Sequence, residues 1–170
     1  MQSKLIGFLV QSWDDLDLGV AGLSTEEMEA RIDGGSSFGW TVGHVTNMVD
    51  SFFNARFQTL PPHPVISQQR FRIGAPGSVG DWPVLEAAVR EVRAAAWTYL
   101  RGKDEEDLDQ VVPYDGSLQR LRKNGLSLRY AILRTAAHHY LHLGEIAAKR
   151  DRRGDRVADD PRMMSSTDWL

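Results

Sequence analysis

Five histidines carry the most specific chemistry in this chain, because four of them fall into two short stretches. His138, His139 and His142 lie within a turn and a half of one another, and His44 stands alone far upstream. Helical side chains four apart differ by about 40° around the axis and about 6 Å along it, so two imidazoles at that offset can converge on one ion. His138 and His142 have that spacing; His139 and His142, three apart, form a less favourable pair. A third imidazole from another helix would complete one face of a divalent-metal site and leave positions open for water or substrate. A single histidine on an apolar face is more often a hydrogen-bonded core residue than a ligand. Three facing inward are harder to bury without a purpose, because each ring must find partners for two nitrogens. The fifth, His63, lies between Pro62 and Pro64 and reads as exposed and idle.

Other chemistries lack their residues. Cysteine is absent, which excludes disulfides, Cys-ligated zinc, iron–sulfur clusters and a cysteine nucleophile. His138 to His142 has the spacing of a zinc-protease helix, but His139 stands where the glutamate general base belongs. The chain has no Glu-x-x-His pair of the di-iron bundles, no nucleophile elbow, no P-loop and no dinucleotide fingerprint.

The elements that must position these histidines are read from periodicity. Leu5, Phe8, Leu9, Trp13 and Leu16 recur at helical spacing over residues 3–18. Ser24 and Glu27 have the form of a capping box in the connector that follows. A second helix begins at Ser36 or Ser37, carries Trp40, His44, Met48, Phe52 and Ala55 on one face, and ends before Pro61. A third runs over residues 81–101 with Trp82, Leu85, Val89, Val92, Ala96 and Leu100 as its stripe, capped by Asp81. The fourth spans residues 127–153, with Ala131, Thr135, His138, His142 and Ile146 on its stripe and Gly154 as its stop.

Between the second and third helices lies a long segment rich in Pro and Gly, a length that marks lids and binding loops. Its large apolar residues Phe71 and Ile73 are candidates to cover the site, and Arg70 and Arg72 to face an anionic ligand. Asp115-Gly116 suits a tight turn, so a small hairpin is expected over residues 111–121. The expected fold is all-α: an up-down four-helix bundle over residues 1–154 with one long crossover, then a polar tail over 155–170. Met163, Met164, Trp169 and Leu170 are the tail's apolar anchors, for docking onto this chain or onto a second copy in a homodimer.

Two of these segments together resemble a known family. Trp40-Thr41-Val42-Gly43-His44 is similar to the W-x-x-x-H segment of the DinB-like superfamily, and His138 to Glu145 is similar to its H-x-x-x-H-x-G-[Q/E] segment. The order and separation of the motifs match over about residues 3–153. The resemblance implies a four-helix bundle with a three-histidine divalent-metal site and maps the ligands onto His44, His138 and His142. It selects His138 over His139, because the family's pair is four apart. Leu143 and Glu145 depart from the commoner Arg and Gln. Asn47 and Glu145, three residues after His44 and His142, are candidates to support the ligands from behind.

Characterised relatives include metal-dependent transferases and isomerases that use low-molecular-weight thiols. The resemblance therefore implies a transferase acting on a small electrophilic substrate, with Zn, Ni, Fe or Mn as the metal. The alternative, from another class, is a non-catalytic metal- or ligand-binding stress-response module. The net charge of −3 offers no basic field for nucleic acid. The apolar run Leu5 to Val10 is too short to span a bilayer and lacks a cleavage site, so no membrane partner and a cytoplasmic location are expected.

Overall fold

The computed structural model describes residues 1–165. Its long helices are α1 (Lys4–Val20), α3 (Phe38–Val49), α4 (Trp82–Leu100) and α6 (Leu128–Asp151), with short helices α2 (Thr25–Glu29) and α5 (Gln119–Asn124) between them. Each long helix starts on a side-chain cap that accepts from a first-turn amide: Ser3, Ser37, Asp81 and Ser127 in turn. The Ser24–Glu27 pair forms a complete capping box at α2. Beyond Val49, α3 continues without a break and widens into a π-helix over Asp50–Phe57.

Residues that meet across the bundle fix its sense. Tyr140 on α6 reaches Asp15, and Arg150 reaches the carbonyl of Gly19, so α1 and α6 run parallel. Lys149 bonds the carbonyl of Ser36 while His142 lies beside His44, so α3 and α6 run antiparallel. Asn54 donates to the carbonyl of Val92 and Gln58 to that of Ala95, with Gly39 against Trp82, so α3 and α4 run parallel. The order is up-down-down-up. A parallel second pair cannot be joined by a tight turn, and this is why the chain spends the residues between Phe57 and Trp82 on a crossover.

That crossover is packed rather than solvated. Ile66, Phe71 and Val79 are buried, although Ile73 is exposed. His63 corrects the expectation of an idle, exposed residue. Its Nδ1 accepts from the amides of Val65 and Ile66, its Nε2 meets Glu91 at 3.1 Å, and its own amide donates to the buried Asp50. The reason is the prolines on either side, which leave few local amides to pair and make the imidazole the organising group of the turn.

A short ribbon joins α4 to α6. Strand β1 (Val111–Val112) pairs antiparallel with β2 (Leu126–Ser127), Val111 opposite Ser127. Its return strand therefore lies beyond Asp115-Gly116, with α5 in between, and the chain re-enters the ribbon at Gly125, whose φ is +78°. The core is continuous: Ile6, Leu9 and Leu16 of α1, Val45 and Phe53 of the second helix, Leu85 and Ala96 of α4, and Ile132 and Ile146 of α6. After α6 the chain folds back along α1, where the Met164 amide donates to Asp15. Trp169 and Leu170, named above as anchors, lie outside the described residues. No helix among the described residues is long and apolar enough to cross a membrane.

Candidate metal centre

Antiparallel packing of α3 on α6 brings His44 opposite the His138–His142 pair. One nitrogen from each of the three rings lies within 4.8 Å of the other two. Ring centroids are 5.0 Å apart for His44–His138, 5.0 Å for His44–His142 and 4.6 Å for His138–His142. The ring planes stand at 66°, 82° and 89° to one another.

Two of the three rings are held from behind. The Nδ1–H of His44 donates to the backbone carbonyl of Phe71 at 2.7 Å, and the Nδ1–H of His142 donates to the Glu145 carboxylate at 2.8 Å. Each bond places the ring proton on Nδ1 and leaves the Nε2 lone pair facing inward, the tautomer a metal ligand requires. His138 presents its Nε2 to the Nε2 of His142 at 3.1 Å, and its Nδ1 is buried with no partner among the described residues. Trp40 stacks on His44, centroids 4.8 Å apart and planes within 6°, and its indole N–H donates to the carbonyl of Arg70. Residues 70 and 71 are thereby stapled to one turn of α3.

The electrostatics favour neutral rings. Burial holds His44 below the ordinary histidine range, with His142 adding to the effect. His138 is pushed down to about 3, first by burial and then by His142, His44 and Arg134. Imidazole nitrogens from three rings, gathered within 4.8 Å of one another, make a donor set of the kind that holds a divalent cation. The residues present fit that role.

Position along α6 separates His138 from its neighbour. His139 is fully buried, donating from Nδ1 to the carbonyl of Thr135 at 2.8 Å, and is not part of the cluster. Glu145 stands behind His142, whereas Asn47 turns away and donates to the carbonyl of Ile66 at 2.8 Å, tying down the crossover. Phe71 meets the site through its backbone carbonyl. Its phenyl ring is fully buried, against Gly43 and between α3 and α4, and so lines no open surface. An apolar ring in a Pro- and Gly-rich loop loses most exposed area by docking on the nearest helices. Arg70 and Arg72 are exposed, with the Arg70 guanidinium 5.1 Å from the Phe71 ring. Sequence reasoning missed the carbonyl of Phe71, because a backbone acceptor leaves no residue-type signal.

Comparison with known proteins comes to the same architecture. A solved structure of a conserved protein from Enterococcus faecalis is similar, with a TM-score of 0.64 at 14% identity, covering 88% of this chain and 96% of that one. At that identity the likeness shows the fold alone. No curated protein matches the chain. Residues 9–146, the stretch that holds all three clustered histidines, match the DinB superfamily, and the protein belongs to that superfamily.

Proposed function

We propose that the protein binds one divalent metal ion through Nε2 of His44, His138 and His142 and works as a metal-dependent transferase, joining a low-molecular-weight thiol to a small electrophile. The observation that carries the metal reading is the back-bonding of His44 and His142, which turns both inward lone pairs to the space that His138 also faces. A bound divalent ion would supply a Lewis acid that lowers the pKa of a coordinated thiol and so raises its thiolate fraction at neutral pH.

The chain's own residues do the rest. Glu145 orients His142 and strengthens it as a ligand, and the Phe71 carbonyl does the same for His44. Trp40 closes one side of His44 to water. The three clustered histidines are joined by no carboxylate ligand among the described residues. Zn, Ni, Fe and Mn all suit three imidazoles.

Elemental analysis of unstripped protein tests the first part, with about one equivalent of metal expected. Incubating metal-loaded protein with bacillithiol, mycothiol or glutathione and a model electrophile tests the second. Thiol consumption that His142→Ala abolishes supports the transferase. Metal-loaded protein that consumes none of the three leaves the non-catalytic metal-binding module as the reading.

A further inference from the structure

Arg134 is out of place by ordinary rules. Five arginines are half-buried: Arg56, Arg93, Arg129, Arg134 and Arg150. Four of them hold a carboxylate, on Asp115, Asp17, Glu105 and Asp155 respectively. Arg134 holds none among the described residues. Its Nε is buried without a partner, as are those of Arg56, Arg93 and Arg150, and its Nη1 makes one long contact, to the Tyr130 hydroxyl at 3.4 Å. What sets Arg134 apart is a half-buried guanidinium with no carboxylate against it among the described residues.

Its position supplies the anion's source. Arg134 lies four residues before His138, on the same face of α6 and about 6 Å along the axis. Helical side chains lean toward the N-terminus, so the His138 ring extends over the turn that carries Arg134. The guanidinium in turn leans toward Tyr130, which is partly exposed. Going from the histidine cluster toward the start of α6, a ligand would meet the Arg134 guanidinium and then the Tyr130 hydroxyl.

We propose that Arg134 is the anion anchor of the substrate site: the ligand that meets the metal with one end carries a carboxylate at the other, held by the Arg134 guanidinium with the Tyr130 hydroxyl beside it. This rests on the three-histidine reading and adds a charge and a direction to it. Arg134 is a specificity-determining residue; it does not hold the metal.

Cobalt-loaded protein provides the test, with simple thiols as metal-seeking probes. 3-Mercaptopropionate and 6-mercaptohexanoate are each titrated beside the alcohol of the same length, following the sulfur-to-cobalt charge-transfer band. At least one acid should bind about tenfold or more tightly than its alcohol. Arg134→Gln should bring that pair to within about twofold while alcohol binding and cobalt content stay unchanged, and Arg134→Lys should keep part of the preference. Equal binding of acids and alcohols by the unaltered protein overturns the anchor, as does a preference that survives Arg134→Gln. A protein that takes up no cobalt overturns the metal site and the anchor together, and the cobalt absorption before thiol is added separates that case from the others.

Discussion

The imidazole of His44 and the backbone carbonyl of Phe71 are joined by a 2.7 Å hydrogen bond that spans the bundle's long crossover. One side of the bond is a candidate metal ligand, and the other is a residue whose ring is locked in the core. The crossover is therefore part of the site's scaffold, not a lid above it. The position of the His44 ring and the packing of the crossover are coupled through this contact.

His44→Ala, His138→Ala and His142→Ala should each lose stoichiometric metal, measured by elemental analysis after dialysis. His63→Ala and His139→Ala should keep it, although His139→Ala should lower stability by about 2 kcal/mol or more, because the ring is fully buried. Full metal content in the His44 variant would remove the three-histidine site.

Glu145→Gln should weaken metal binding by about 10- to 100-fold in competition with a chromophoric chelator, without unfolding the protein. The side chain is half-exposed and, among the described residues, bonds His142 alone, so its loss acts through that ring. An unchanged affinity would mean that the carboxylate does not tune the ligand.

Gly43 and Phe71 test the crossover's role. A methyl group on Gly43 would come within 2.6 Å of the Phe71 ring, so Gly43→Ala should cost about 1–3 kcal/mol in denaturant unfolding. It should also weaken metal binding, by displacing the carbonyl that His44 needs. Phe71→Ala should cost about 3–5 kcal/mol. Arg72→Ala, on the exposed side, should change stability by no more than about 0.5 kcal/mol.

Asp15 is buried and accepts from Gln11, Tyr140 and the Met164 amide, so it ties α1 to α6 and to the C-terminal segment at once. Asp15→Ala should cost about 2–4 kcal/mol, because buried donors lose their acceptor. Limited proteolysis should then cut within residues 155–165 faster than in the unaltered protein.

Chelation should leave the helical circular dichroism intact, since the four apolar stripes form a continuous core without the ion. Bound metal should still raise stability by linkage, about 2.7 kcal/mol at a free concentration one hundred times Kd. Loss of helix on chelation would make the ion structural and would count against the transferase.

Much of this was legible in the sequence because it rests on periodicity and caps. Leu85, Val89, Val92, Ala96 and Leu100 read as one face of a helix and are one. Ser37, one of the two caps expected for the second helix, and Asp81, expected for the third, serve as caps. The four-residue step from His138 to His142, with His44 on a second helix, pointed to a metal site, and the family resemblance selected His138 over His139. What could not be read depends on the backbone and on contacts distant in sequence. The Phe71 carbonyl, the return strand at Leu126 and the use of His63 as a turn organiser follow from where the crossover and the ribbon settle. Residue type carries no trace of such docking.

The parallel pairing of α1 with α6 has a consequence for how the protein is made. A chain leaves the ribosome N-terminus first. α1 must wait for the last long helix before its main packing partner exists, and His44 waits for the same helix before His138 and His142 arrive. A growing chain thus carries a single imidazole of the set, which holds a divalent ion only weakly. Any ion the cluster binds is captured only once α6 has been made and has docked against α3.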